Sequence, residues 1–371
     1  MYKVIGGVRA APTECDEREA GPRNLLRRSR LKSAKCAFTT RRVDFSVATN
    51  LVRDGTPRAG DLVLAAVTSI GKHTRLESPQ GRRMHLYEGD EIIVAYGARY
   101  APDQFEASVP DGLGECDLVA SGGVAAHVIA RHAATGRPTR IAPIGLIADK
   151  HGDVLNLARF ALPDCEIPLS APRVVVIAGS TMNAGKTTTA SSLIYGLSRA
   201  GLIVEAAKVT GTGSGLDVWS MLDSGARSVH DFTDMGHAST AGLDLTTIES
   251  IALSLIAHCA ASRPDVVVIE VADGLFQRET GALLESARFR AAIDGIVFAA
   301  GDALSAVGGR DWLELRGHRI LGISGQVSAS PLASREAEAR LGLPVYTKAC
   351  LRNREIAPQI AFAADPVCLV G

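Results

Sequence analysis

The sequence predicts an α/β protein in which a mostly parallel sheet with a phosphate-binding loop follows a small β-barrel-like domain. Three observations carry this. The stretch "VVVIAGSTMNAGKTTTASSLIYGLSRAG", Val174 to Gly201, leads from five apolar residues through a turn of small residues into Gly185-Lys186-Thr187 and a helical pattern. After Arg173, apolar runs alternate with helical stretches, the rhythm of buried parallel strands joined by crossovers. Before Pro168, short Val- and Ile-rich runs are separated by frequent turn signals, the rhythm of a small barrel.

Taken in order, residues 1–40 form a basic N-terminal extension. "RNLLRRSRLKSAKCAFTTRR" (23–42) has eight basic residues and no acid, and is read as a solvated terminus or a helix packed on its own domain, with a phosphate-contacting arm as the rival. Residues 41–168 form the β-rich, barrel-like domain. Its strand-like runs are "RRVDFSVATNLV", "GDLVLAAVTSI", "MHLYEGDEIIVAYG" and "TRIAPIGLIAD", and one helical interlude is expected at "GGVAAHVIARHAATG". "LSAPR" (169–173) reads as a linker. Residues 173–371 form the α/β domain, with strands expected at 174–178, 202–209, 265–271, 295–300, 319–324 and 343–348.

The length of 371 residues suits two domains, and a hydrophobic content of 46% supplies two cores. Acids and bases balance at 40 each, so overall charge favours neither nucleic acid nor an anionic membrane. The seven cysteines, at 15, 36, 116, 165, 259, 350 and 368, form no CxxC pair and are odd in number. Reduced thiols in a cytoplasmic protein are expected. No apolar run approaches the roughly 20 residues of a membrane span, and the N-terminus lacks the layout of a signal peptide.

The loop carries the chemistry. Its strand ends at Gly179, and a helix is expected from about Lys186 to Arg199, stopped by Gly201. Backbone N–H groups of Gly179, Asn183, Ala184, Gly185 and Thr188, together with the helix N-terminus, would face one point and suit a polyphosphate. Lys186 supplies a charge to the β- and γ-phosphates, and the Thr187 hydroxyl is placed to reach Mg²⁺. The common phosphate loop has four residues between its first Gly and the Gly-Lys pair. Here there are five between Gly179 and Gly185, and Ser180 sits where the common pattern has Gly.

The pattern G-x5-G-K-T resembles the loop of dethiobiotin synthetase and its relatives among the P-loop NTPases. The resemblance continues in order through "AAKVTGTGSGLD" (Lys208, Asp217), "VVVIEVADGLF" (Glu270), "DGIVFAAGDALSAVGG" and "GHRILGISGQVSASP", over about 173–350. It implies that Lys186 and the loop hold phosphate, that Thr187, Asp217 and Glu270 surround Mg²⁺, and that Lys208 helps hold the substrate and the phosphoryl group in transit. Two carboxylates with phosphate and water are also what Mg²⁺ ordinarily selects. The rival roles are an N-cap for Asp217, a buried salt bridge for Glu270 and a snorkelling stem for Lys208. Relatives of this kind are often dimers, so a homodimer is expected. This sequence departs from dethiobiotin synthetase where that family has acidic loop residues (here Thr181 and Asn183), in "VAD" after Glu270, and in possessing the preceding β domain. The nucleotide end is shared and the substrate end is not, so dethiobiotin synthesis is not expected.

For the substrate side, "SVHDFTDMGHAST" (228–240) offers His230, Asp231, Asp234, His237 and Thr240 as a lid or substrate loop, with a capped surface loop as the plain reading. Asp273, Arg278 and Glu279 follow Glu270 and could reach a phosphate or an acidic substrate. "SGQVSASP" (324–331) is where relatives contact the base, and the absence of an NKxD pattern favours ATP over GTP. In the β domain, Arg99, Tyr100 and Asp103 and the Gly122-Gly123 pair are the most site-like positions, with a structural corner as the plainer reading. The basic run 69–85 contains no aromatic residue to stack a base, so nucleic acid is not an expected partner. The leading expectation is therefore a Mg-ATP-dependent ligase or kinase acting on a carboxylate or carbamate of a small molecule. The alternative is a nucleotide-hydrolysing switch acting on a protein partner.

Overall fold

The computed structural model describes residues 25–163, 165 and 172–363. Most of the basic extension and most of the 169–173 linker lie outside the described residues.

In the N-terminal half, five strands form a closed ring: β1 (Leu62–Ser69), β2 (Glu91–Tyr96), β3 (Cys116–Ala120), β4 (Val124–Arg131) and β5 (Thr139–Ala148). Around the ring, β2 pairs with β1, β1 with β5, β5 with β3 and β3 with β4, all antiparallel. The ring closes through a parallel pair between β4 and β2, at Val124↔Ala95 and Ala125↔Tyr96. Closure satisfies edges that would otherwise recruit other chains.

Both faces of β1 and β2 are largely buried. Leu62 and Leu64 of β1 join Leu26, Leu51, Leu155 and Leu157 in one cluster, while Val63, Ala65 and Val67 join Leu76, Met84 and Leu86 in another. This explains why the strand runs are near-continuously apolar rather than alternating.

Two N-terminal expectations are corrected. The 122–136 segment is strand β4, not a helix. Its Ala content favours helix in isolation, but Val124–Ala126 are held between β2 and β3, and tertiary pairing overrides propensity. The 41–52 run yields only a short 3₁₀ turn, Phe45–Val47, and the three-residue strand Asn50–Val52 against β5. Asp44 caps that turn by accepting from the Ser46 N–H at 2.9 Å. The described part of the basic arm lies against this protein's own acids: Arg30 pairs with Glu91 at 2.5 Å, and Lys35 pairs with Asp90.

The C-terminal half is a six-stranded sheet built from β6 (Arg173–Gly179), α1 (Lys186–Arg199), β7 (Val204–Lys208), α2 (Gly215–Asp223), β8 (Val229–Asp231), α3 (Leu245–Ala261), β9 (Val266–Glu270), β10 (Gly295–Ala299), α4 (Ala303–Glu314) and β11 (Ile320–Ser324). The strand order is β8-β7-β9-β6-β10-β11 and every pair is parallel. Val174 and Val176 of β6 face a cluster with α3, and Val175 and Ile177 face a cluster with α1, so the sheet is covered on both sides. Gly201, with φ of 88°, ends the first helix where the sequence placed its stop.

The 343–348 run is not a sixth strand. It makes one isolated bridge, Ile323↔Val345, because Pro344 offers no N–H and Thr347 already caps the next helix. The sixth strand is β8, at the opposite edge and inside the segment expected to be a loop. Cys36, Cys116, Cys259 and Cys350 are free thiols. Among the described residues, no helix is long and apolar enough to cross a membrane.

The ring and the sheet meet through backbone. A Cβ on Gly122, in the β3–β4 turn, would overlap the Gly213 carbonyl. The buried Glu77 carboxylate accepts the Gly215 N–H at 2.7 Å and so caps α2 from the other half of the molecule. Arg41 pairs with Asp231 at 2.9 Å and Asp234 at 2.7 Å.

Candidate functional site

The carboxyl ends of β6, β7 and β9 lie side by side, at the sheet edge where such folds place ligands. Parallel register sets Lys208 directly opposite Glu270, and Glu270 opposite Ile177, two residues before the loop begins. Two ends of separate chain segments are thereby brought to the phosphate loop without any long-range search by side chains.

The loop is a built object. Gly185 has φ of 99°, a conformation that L side chains rarely adopt, and its backbone starts α1. The Lys186 ammonium folds back to donate to the carbonyls of Thr181 at 2.7 Å and Met182 at 3.3 Å. Gln326 braces the loop from behind: its N–H donates to Ala184 at 3.0 Å and its side chain to Asn183 at 2.6 Å. Asn183 in turn donates to Asp103 of the ring at 3.2 Å.

Four further groups converge in front of the loop. The Thr187 hydroxyl lies 3.0 Å from Glu270 Oε1 and 3.3 Å from Asp217 Oδ1. Lys208 forms an ion pair with Asp217. Asp217 sits in the first turn of α2, whose N-cap is Ser214, so the capping role considered for it is set aside. Lys208 is buried and paired, so it does not snorkel.

Burial pushes Glu270 above its ordinary value, against the pull of Lys208. Burial would raise Asp217 too, but the Lys208 charge and hydrogen bond outweigh it and hold the carboxyl low. Burial pulls Lys186 down to about 8. Asp273 is raised by burial and holds a positive φ of 64°, strained for a non-glycine residue.

Two cavities flank the loop. One of about 350 Å³ is lined by Gly185, Thr188, Gln326, Ser328, Thr347 and Lys348. The other, of about 410 Å³, lies between the loop and the ring. Lys186, Thr187, Lys208, Asp217, Glu270 and Asp273 line one end of it.

Among the sequence-derived positions, Arg99 and Tyr100 line the second cavity. Arg278 and Glu279 do not, and Glu279 instead accepts the Gly242 N–H at 2.7 Å. The 228–240 segment is not a lid: Asp231 and Asp234 clamp Arg41, and Thr240 accepts from the Gly211 N–H at 2.8 Å. Its polar density serves the junction, where buried charge needs partners. No group of three or more His, Cys, Asp or Glu residues is arranged to hold a metal among the described residues. Lys72, Arg83 and Gln104 also line the second cavity and were missed. The basic run 69–85 was the signal for Lys72 and Arg83, read there only for nucleic acid.

A parallel sheet whose strand β6 runs through the Gly-Lys-Thr loop into α1 has the P-loop arrangement. No family model matches the chain, and no curated protein matches it. Solved structures match at low similarity. The signal recognition particle receptor FtsY from Elizabethkingia anophelis is 14% identical, over 56% of this chain and 75% of that one, with a TM-score of 0.38. The 54 kDa signal recognition particle protein from Aeropyrum pernix, in complex with GDP, is 17% identical over 53% and 47%, with a TM-score of 0.36. A DUF1611 family protein from Anabaena variabilis is 13% identical over 56% and 63%, with a TM-score of 0.38. Likeness at this level carries no argument about activity. Kinship to dethiobiotin synthetase is not shown by these matches.

Proposed function

We propose that this protein transfers the γ-phosphoryl group of ATP to a carboxylate or carbamate oxygen of a small molecule held between the loop and the ring. The single observation behind this reading is the 410 Å³ cavity that opens directly onto Lys186, Thr187 and Glu270. A nucleoside fits the 350 Å³ cavity on the other side of the loop, which leaves the larger one for a second substrate.

The residues present fit Mg²⁺. Thr187, Asp217 and Glu270 offer hard oxygens, and Glu270 Oε2 is buried with no partner. When bound, Mg²⁺ would neutralise charge on the β- and γ-phosphates. Lys186 would leave the Thr181 and Met182 carbonyls for the phosphates. Lys208, fixed by Asp217, would hold the transferring group and the acceptor in line. The acceptor oxygen bonds to the γ-phosphorus as the bond to the β–γ bridging oxygen breaks, and that electron pair leaves with ADP.

A second reading has its own support. Asn183 ties the loop to Asp103, so nucleotide state would be felt by the ring, as a switch acting on a protein partner requires. ADP release measured against a metabolite panel separates the two. We expect one small molecule to raise turnover at least a hundredfold. Slow hydrolysis unaffected by every small molecule, yet accelerated by a protein partner, would transfer the assignment to the switch.

A further inference from the structure

We propose that the ring wall of the larger cavity is a binding site for the carboxylate of a small organic acid, and that this acid is the phosphoryl acceptor. The acceptor role rests on the function proposed above. The carboxylate site stands on geometry of its own.

The two ends of the cavity differ in charge. Every acid that lines it, Asp217, Glu270 and Asp273, comes from the loop end, beside Lys186 and Lys208. The ring end contributes Lys72, Arg83 and Arg99 and no acid. Lys208 is paired with Asp217 and assigned to the transferring group. With Lys186 given to phosphate, three cations remain at the far wall for a second anion.

Arg99 is the most telling of the three. It is 7% exposed, yet no ion pair of Arg99 is found among the described residues. Its Nη1 donates to the Val119 carbonyl at 2.5 Å and its Nη2 to Gln104 Oε1 at 3.0 Å, both neutral oxygens. Its Nε is buried without a partner. Burial lowers Arg99 to about 10, which still leaves it charged at neutral pH. The Asp103 and Asp273 charges act on it from nearby without pairing with it, and a buried guanidinium hydrogen-bonded only to neutral oxygens is one that a mobile anion can complete.

Of its neighbours, Arg83 makes one long ion pair and Lys72 none among the described residues. Arg83 is half exposed, and its closest carboxylate is Glu77 at 3.7 Å, which is already occupied by the Gly215 N–H and the Ser121 hydroxyl. The Lys72 ammonium has no hydrogen bond or ion pair among the described residues. His73 adds no competing charge: burial and the Arg99 charge hold it at about 4, so it is neutral and donates Nε2–H to Val119 at 2.9 Å. Planar guanidinium forks suit a carboxylate, and about 410 Å³ suits a small acid rather than a polymer.

Calorimetry on the full chain tests this with succinate, glutarate, their diamides and inorganic phosphate, with and without Mg²⁺ and a non-hydrolysable ATP analogue. We expect one dicarboxylate to bind at least tenfold more tightly than its diamide and than phosphate. The double variant Lys72→Ala/Arg83→Ala alters two exposed side chains, so it should fold with at most a small fall in melting temperature from loss of the 3.7 Å pair with Glu77, while dicarboxylate affinity falls at least tenfold. The charge-preserving pair Lys72→Arg/Arg83→Lys should keep most of that affinity. Equal affinity for acid and diamide, a preference for phosphate, or unchanged affinity in the alanine variant overturns the proposal. A charge-dependent dicarboxylate signal without any nucleotide heat would overturn the proposed function and leave the carboxylate site standing.

Discussion

Lys186 illustrates how one residue links burial to ligand binding. Its ammonium is stripped of water and held by two carbonyls, and burial brings its proton affinity down to about 8. A triphosphate would restore that affinity by supplying negative charge. The sign follows from linkage: binding favours the protonated lysine, so affinity is full below about pH 8 and is lost as pH rises above it. Nucleotide affinity should fall by up to about tenfold per pH unit above that point. Titration in two buffers of different ionisation enthalpy should register proton uptake there, and a pH-independent affinity would count against Lys186 as the phosphate ligand. The identity of this lysine was legible because Gly-Lys-Thr after an apolar strand has few other uses. The place of Lys72 and Arg83 on the cavity wall was not legible, because a surface lysine and arginine look alike in sequence wherever they point.

At the scale of elements, register did most of the assembly. Lys208 and Glu270 were placed at strand ends from the sequence, and parallel pairing sets them opposite each other. Strands β6 and β9 were readable because their buried residues are nearly pure Val and Ile. The 122–136 strand was not, since its alanines and spaced apolar residues fit a helix equally well and only its neighbours decide. The Glu77 cap on α2 was also invisible. The contact spans 138 positions, and no local pattern announces a cap supplied from so far away. Replacing Glu77 with Ala removes the acceptor for the Gly215 N–H and a partner of Ser214. We expect a loss of about 1–2 kcal/mol in denaturant unfolding, with faster exchange of the Gly215 amide. Unchanged exchange at Gly215 would show that the cap is not formed in solution.

For the whole molecule, the junction depends on Arg41. Its side chain is mostly buried, with Asp231 and Asp234 still more so. Replacing Arg41 with Ala leaves two buried carboxylates facing each other and should cost about 3–5 kcal/mol. Asp234 is already held above the ordinary carboxylate range by burial and by Asp231. The folded state therefore binds that proton more tightly than the unfolded chain. The penalty should be smallest in acid and grow as pH rises through the folded Asp234 value. Thermal unfolding across pH 4–8 reads this out, and a penalty independent of pH would place the loss elsewhere. The sequence-level picture of a barrel followed by a parallel sheet was sound because each half encodes its own periodicity. How the halves dock was hidden, because Arg41 and the 228–240 acids lie far apart in the chain and each resembles ordinary surface charge.

Where the turn at Gly122 rests on Gly213, main chain meets main chain with no side chain to compress or rotate. Such a stop behaves like a calibrated spacer in a vice: it sets how far apart the jaws stand, whatever is placed between them. A molecule reaching from the cationic wall to Thr187, as proposed, would have to match that gap in length, so selectivity among chemically alike occupants would be set by length more than by affinity for any single group.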